Sequence, residues 1–403
     1  MAALPAFSSP TAPFPSARRN ALIAPFHVME IMKDAARMQA SGHDIIHMSI
    51  GEPDFTAPPA VAQALARAVT DGQTAYTAAV GTAMLREAIA QFYLDRFAQQ
   101  VDPARIIITA GASGAMLLAL AALIDAGDEV LLPDPSYPCN RHFVSAVGGV
   151  AKLMPCGPAQ RFQPSAADIA RHWSAATKGV MLASPSNPTG TSIAPDELRA
   201  IHSQVRKRGG FLLVDEIYQS LTYGETADNA PTTALALSED VLVINSFSKY
   251  FNMTGWRLGW LVVPPWMVAD LEKLSQNLYI CASTLAQHAA LACFEPATLA
   301  IYEERRAEFQ KRRDYLVPAL NALGLTVPVM PDGAFYVYAD CSRFASDSGE
   351  FCERILRDAH VCIVPGKDFG NYEPARYVRL SYATALPRIE QAVQRIGKVL
   401  GAR

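Results

Sequence analysis

The cysteines of this chain supply no covalent or metal-bound scaffold. There are seven, scattered at Cys139, Cys156, Cys281, Cys293, Cys341, Cys352 and Cys362, an odd count without a CxxC pair. That argues against a disulfide framework or a zinc ribbon and fits reduced thiols in a cytoplasmic protein. Long apolar runs are also lacking. The longest, 115–124, falls well short of the ~20 residues that span a bilayer. Charge of one sign is missing too: the formal net charge is −3. With no block of like charges, neither a nucleic-acid footprint nor a membrane patch is expected. Acids are absent from the first twenty residues, which are rich in Pro, Ala and Ser and carry Arg18 and Arg19. They hold no apolar core of a signal peptide. Five prolines before Phe26 argue against an amphipathic transit helix, so residues 1–17 read as a flexible arm. His43 and His47 have a helical ligand spacing, but Asp44 to Ile50 reads as a strand that turns them away from each other. No metal site is expected.

What is present is a globular composition. Half of the 403 residues are hydrophobic and 18% are charged, enough for two cores. Helical spacing marks 28–39, 59–69 and 81–97. Strand and helix patterns then alternate: strands at 105–109, 129–132, 179–182, 211–214, 241–244 and within 257–263, helices at 113–124, 137–147 and 195–208. Near-continuous apolar strands separated by helices predict a mostly parallel sheet buried on both faces, an α/β three-layer domain. From Glu295 the texture changes to a long charged helix at 302–323, strands at 333–339 and 377–382, and helices at 350–360 and 387–400. The expected division is a segment 18–48 that joins a smaller α/β domain at 295–403, with the large domain over 49–294.

Chemistry concentrates at strand ends. Lys249 lies in Ser246-Phe247-Ser248-Lys249-Tyr250, just past an apolar strand and shortly before Arg257. An attacking amine must be neutral and fixed, and a phosphate beside it needs hydroxyls and a cation. A lone strand-end lysine is equally often an ordinary surface residue. Gly111-Ala112-Ser113-Gly114 opens a helix, which suits an anion but also suits a plain strand–helix turn. Asp215 ends Phe211-Leu212-Leu213-Val214, at the sheet edge where α/β folds bind ligands, or else caps a turn. Asn187 centres the rigid turn Ser184-Pro185-Ser186-Asn187-Pro188-Thr189-Gly190. Tyr137 follows Asp134-Pro135-Ser136 and reads equally well as core. Arg379 sits in an apolar strand, where it needs a carboxylate from a ligand or from the protein.

Taken in order, from about Arg18 to the end, these motifs resemble the class I/II pyridoxal-phosphate aminotransferases of fold type I, aspartate aminotransferase-like. The resemblance implies pyridoxal 5′-phosphate held by Lys249 as a Schiff base, with Lys249 also moving the proton. It implies Asp215 at the ring nitrogen and Tyr218 and Asn187 at the phenolic oxygen. Tyr137 would stack on the ring, and Gly111, Ala112, Ser113, Ser246, Ser248 and Arg257 would hold the phosphate. Tyr76 would reach that phosphate from the partner of a homodimer with shared active sites. Gly51, Asn187 and Arg379 would bind the substrate, and Glu216 would be structural. The substrates implied are an amino acid and a 2-oxo acid. Ser113 stands where some dicarboxylate-using relatives carry a lysine, which suggests broad or neutral specificity, with glutamate and 2-oxoglutarate as one exchange pair. Arg141 is a second candidate for a side-chain carboxylate, and 23–26 an apolar side-chain pocket. The alternatives are a C–S/β-lyase or related elimination enzyme, and an aminotransferase-like DNA-binding regulator, for which the short arm leaves no room.

Overall fold

The structure, a computed structural model, describes residues 16–25, 27–224 and 232–401. Most of the expected arm over 1–17, and Phe26, lie outside the described residues. Along the chain run α1 (His27–Ala40), β1 (Ile46–His47), α2 (Pro59–Thr70), α3 (Ala83–Phe97), β2 (Ile106–Thr109), α4 (Gly111–Leu123), β3 (Glu129–Asp134) and α5 (Pro138–Ala146). Then follow β4 (Val150–Pro155), α6 (Ala166–His172), β5 (Thr177–Ala183), α7 (Pro195–Arg206), β6 (Phe211–Asp215), β7 (Leu242–Ser246), β8 (Gly259–Val262), α8 (Val268–Leu278) and α9 (Thr284–Ala290). The rest is α10 (Pro296–Ala322), β9 (Tyr336–Asp340), α11 (Ser348–Arg354), β10 (Val361–Cys362), β11 (Val364–Pro365), β12 (Tyr377–Ser381) and α12 (Leu386–Leu400).

The large sheet has strand order β2-β8-β7-β6-β5-β3-β4. Its β4, β3, β5, β6 and β7 are parallel, and β8 runs antiparallel to both β7 and β2. Successive side chains on a strand face opposite ways. Leu212 and Val214 of β6 accordingly enter one apolar cluster and Leu213 the other. Val180 and Leu182 of β5 share the first, and Met181 enters the second. This is the physical content of the unbroken apolar strands: both faces are core. The first cluster continues into the second region of the fold, through Phe309 of α10, Val337 of β9 and Leu380 of β12.

That second region is built on the antiparallel sheet β11-β12-β9. The segment before the large sheet is stitched to it. Ile46 pairs with Val361, the Met48 N–H donates to Cys362 O at 2.8 Å, and Ser381 N–H donates to Met48 O at 2.7 Å. The strand expected over Asp44 to Ile50 is thus only Ile46–His47, because its partner β10 offers just two residues. The helix expected over 350–360 ends as α-helix at Arg354 and closes with a π-turn over Ile355–Ala359, where His360 adopts φ 56°. His43 packs its ring on His360 at 4.7 Å, and His47 Nε2 lies 3.1 Å from Gln39 Oε1. No group of three or more metal-capable side chains occurs among the described residues. No described helix is long and apolar enough to cross a membrane.

Leu213 is wholly buried at the centre of the sheet. Leu213→Ala should cost about 2–5 kcal/mol, through lost transfer energy and the cavity left behind. Urea unfolding would show a lower midpoint at unchanged slope, and an unchanged midpoint would refute the packing described.

Candidate active site

Parallel strands deliver their carboxyl ends to one edge. In register, Ala183 of β5 pairs with Asp215 of β6, and Asp215 with Ile244 of β7. These ends open on a cavity of about 400 Å³. Ala112, Ser113, Tyr137, Asn187, Asp215 and Tyr218 line it, as do Ser246, Ser248, Lys249 and Arg257. Gly51 and Arg379 complete the lining among the expected residues. Gly111 stands just behind Arg257, and Tyr76 is elsewhere, 79% exposed on the surface.

One end of the cavity is made of donors. Helix α4 begins at Gly111 with no side-chain cap, so its first N–H groups lack a capping acceptor. Gly111 has φ +73°, and a Cβ there would lie 2.8 Å from Arg257 Nη2, so only glycine lets the guanidinium lie against the helix start. A Cβ on Gly259 would likewise meet Asn245 O and the Gly111 carbonyl carbon at 2.8 Å. Ser246 Oγ lies 2.9 Å from Ser248 Oγ and accepts from Ser248 N–H at 3.1 Å. Both serines are buried.

The middle holds the titrating pair. Lys249 is half-buried because its tip opens on the cavity. Its ammonium donates to Gly51 O and lies 6.0 Å from the Tyr218 ring centre and 5.9 Å from that of Phe335. Burial brings its pKa down from 10.5 to about 8, opposed by Glu52 and Asp215 and aided by Arg379 and Arg257. Asp215 accepts from Ile217 N–H at 3.0 Å, and burial lifts its pKa to about 6. Its neighbour Glu216 turns away, accepting from the Thr233 hydroxyl at 2.8 Å and Ala234 N–H at 2.6 Å.

At the far end Arg379, 6% exposed, donates to Asn187 Oδ1 at 2.9 Å and to Ser49 O at 2.7 Å. Its guanidinium sits 4.5 Å from the ring centre of Tyr336 and 5.0 Å from that of Phe369. Nε has no partner, and the polar atoms that Arg379 does reach are neutral. Arg141 is not in the cavity wall: it donates to Asp368 O at 3.1 Å. Ile23, Ala24 and Pro25 are exposed and do not line the cavity. Val28, Met29 and Met32 of α1 do so instead, because Asp368 holds the first N–H groups of α1, from His27 and Val28, at 2.6 and 2.8 Å.

Sequence reasoning passed over Tyr336 and Asn140. Both are buried and line the cavity, and Asn140 Oδ1 has no partner. Asn140 is one helical turn from Tyr137, a spacing that was available as a signal.

The family model for "Aminotransferase class I and II" matches residues 43–396. This chain belongs to the class I and II aminotransferases. It is 42% identical to a valine–pyruvate aminotransferase of Mycobacterium tuberculosis, over 94% of this chain and 97% of that one. An aminotransferase structure from Mycobacterium tuberculosis superposes with TM-score 0.92 at 41% identity, covering 97% of this chain and 100% of its own. An aspartate aminotransferase of Thermus thermophilus with maleate gives TM-score 0.89 at 32% identity, over 96% and 100% of the two chains. The protein is therefore a pyridoxal-phosphate-dependent transaminase of the aspartate aminotransferase-like fold.

The cavity fits that cofactor. Uncapped helix N–H groups, two buried hydroxyls and an arginine suit a phosphate. A buried carboxyl, a buried orphan amide oxygen and a depressed amine suit a polar ring bearing an aldehyde.

The depressed amine has a cost for the cofactor-free protein. Between pH 8 and 10.5 the unfolded chain binds more protons at Lys249 than the folded one does, so stability from this group rises with pH across that window. Lys249→Met should raise the melting temperature of the cofactor-free protein at pH 7, and the gain should fade towards pH 10.5. No gain at pH 7 would contradict the burial described.

Proposed function

We propose that this transaminase exchanges the amino group between apolar amino acids and monocarboxylic 2-oxo acids, with Lys249, Asp215 and Arg379 as its working groups. When bound, pyridoxal phosphate supplies an electron sink conjugated to the substrate Cα. Asp215, ionised at pH 7, favours a proton on the ring nitrogen. Tyr137 would pack on the cofactor ring, and Asn187 and Tyr218, which line the same cavity, would donate to its phenolic oxygen. The α4 N–H groups of Gly111, Ala112 and Ser113, with Ser246, Ser248 and Arg257, would hold the phosphate. Lys249 would hold the cofactor through its amine, whose pKa of about 8 makes the neutral form accessible. With substrate in place, the same amine would take and return the proton at the substrate Cα. Arg379 takes the substrate carboxylate, beside the Gly51 backbone, and so fixes Cα within reach of Lys249.

The observation that carries the substrate class is the cavity's inventory of cations. Its basic residues are Lys249, Arg257 and Arg379, each with a role already. Where a side chain would lie, the wall has Val28, Met29, Met32, Phe143, Val364 and Phe369. Among the described residues of this chain the cavity wall offers a second substrate carboxylate no further cation, and it sets Glu52 and Asp368 there. The reading departs from the glutamate and 2-oxoglutarate pair expected from sequence. The valine–pyruvate activity named for the Mycobacterium tuberculosis relative supports it.

We also propose a cytoplasmic homodimer in which Tyr76 completes the partner's phosphate site. The exposure of Tyr76, with Leu278 61% and Ile280 48% exposed along the adjacent α8–α9 link, supports this. The Thr284 hydroxyl donates to Ala75 O at 2.8 Å and holds that link beside Tyr76. The sheet topology is consistent with a large domain over 49–294 and a small one that takes in 18–48 and 295–403.

With pyruvate as acceptor, kcat/KM for valine should exceed that for aspartate by at least about tenfold. Faster turnover of aspartate would overturn the substrate class. Lys249→Ala should abolish transamination and the cofactor's bound absorbance, and a variant retaining both would overturn the assignment of Lys249.

A further inference from the structure

Tyr336 lies where the two halves of the cavity meet, and nothing above gives it a task. It is wholly buried on β9. The β9–β12 register pairs Tyr336 with Ser381 and Tyr338 with Arg379, so Tyr336 and Arg379 are diagonal neighbours on one face of the small sheet. The Tyr336 ring accordingly lies against the Arg379 guanidinium, at 4.5 Å. Its hydroxyl points the other way, 2.9 Å from the hydroxyl of Tyr218. A Cβ on Gly51 would stand 3.1 Å from that same oxygen, so the Gly51 backbone closes in on the pair.

We propose that Tyr336 is a positioning residue for both ends of the site: its ring shelves Arg379 and its hydroxyl orients that of Tyr218. The proposal rests on the roles of Arg379 and Tyr218 proposed above.

The ring half follows from what Arg379 lacks. Its bonds go to an amide oxygen and a backbone carbonyl, so no protein carboxylate fixes the guanidinium plane. The faces of Tyr336 and Phe369 do so instead, and cation–π contact is strongest for a desolvated cation. The hydroxyl half follows from counting hydrogens. Two hydroxyls 2.9 Å apart share one hydrogen, and the other is free. When Tyr336 donates to Tyr218, the free hydrogen is that of Tyr218, which lines the cavity. An oxygen bearing negative charge in the cavity selects this arrangement, and donation from Tyr336 then strengthens the Tyr218 donor. Tyr336 thus biases Tyr218 towards stabilising an anionic phenolic oxygen, and it does so through the residue that also braces the carboxylate clamp.

Two substitutions separate the halves, both examined as holoenzymes. Tyr336→Phe keeps the ring and removes the hydroxyl, whereas Tyr336→Leu removes both. The readouts are the pH midpoint of the holoenzyme's cofactor absorbance and the calorimetric Kd of isovalerate, a monocarboxylate without an amino group. For Tyr336→Phe the midpoint should move upward by about half a pH unit or more, with isovalerate affinity within about twofold of wild type. For Tyr336→Leu the same upward shift should come with about tenfold weaker isovalerate binding. An unchanged midpoint in Tyr336→Phe, or unchanged isovalerate affinity in Tyr336→Leu, overturns the proposal. So do equal losses in both variants on both readouts, which mark a packing role alone. The underlying reading fails differently: Arg379→Leu that binds isovalerate like wild type removes Arg379 from carboxylate binding, and the Tyr336 proposal falls with it.

Discussion

An amine and a carboxyl desolvated at one sheet edge are the constraint to which the rest of the structure answers. Lys249 is pushed down and Asp215 up by the same cause, removal from water. Left alone, each buried group would neutralise, and folding would bear the difference. The protein gives Lys249 the Gly51 carbonyl and Asp215 the Ile217 N–H, single neutral partners for groups that could carry full charge. The fold thereby keeps both groups under-satisfied. A ligand that brings a carbonyl carbon and a basic ring nitrogen supplies what each lacks, so cofactor binding and relief of desolvation are one event.

Holding two such groups in register takes rigid supports from different parts of the chain. Asp215 is fixed by strand pairing on both sides, to Ala183 and Ile244. Lys249 lies past the end of β7 on an irregular turn, where Asn252 at φ 52° donates its N–H and its side-chain amide to Lys249 O at 3.1 and 2.9 Å. Asn252 is held in turn by Arg305 of α10 at 2.6 Å, and the same guanidinium donates to Thr56 O at 2.7 Å. Arg312, one helical face further along, donates to Asp54 at 2.8 and 3.0 Å and lies 5.2 Å from the Phe55 ring centre. One helix therefore fixes both the turn that carries Lys249 and the segment that presents Gly51 O to it. Charge-assisted bonds of this kind are about twice as strong as neutral ones, which suits a junction that must not drift.

The parts legible in sequence are those set by local periodicity. The strands expected over 105–109, 179–182 and 211–214 are read from their apolar runs, since burial on both faces leaves no other composition. The ends of such strands are then known, and Asp215 and Lys249 with them. The illegible parts depend on partners distant in sequence. Strand β4 carries no clean pattern, because its outer residues Val150 and Pro155 are exposed. The mixed face of α8 and the short α9 hide between an apolar strand and a charged helix. The pocket wall from α1 was missed for a tertiary reason. Residues 23–25 precede the helix, and the carboxylate of Asp368, some 340 positions away, holds the start of α1 so that Val28, Met29 and Met32 border the cavity. Tyr336 reads in sequence as one more apolar strand residue, and its meaning comes from the register that sets it diagonal to Arg379.

On the substrate class proposed above, selectivity would follow from charge more than from shape. A cation buried without a protein carboxylate is a standing demand for an anion, and Arg379 is such a cation. Lys249 sits in the middle of the cavity against Gly51 O, and Arg257 lies at the other end against Gly111. Once these three are committed, the remaining charged groups in the wall, Glu52, Asp215 and Asp368, are acids. A methyl-bearing side chain gains the usual apolar burial against Met29, Met32 and Phe369, worth about 0.8 kcal/mol per methylene. A carboxylate in the same place loses its hydration, gains no cation from the described wall, and faces repulsion from Glu52 and Asp368. The second effect is several times the first. On that proposal the acids would exclude more than the apolar residues attract, and discrimination would come chiefly from denying the wrong side chain a partner.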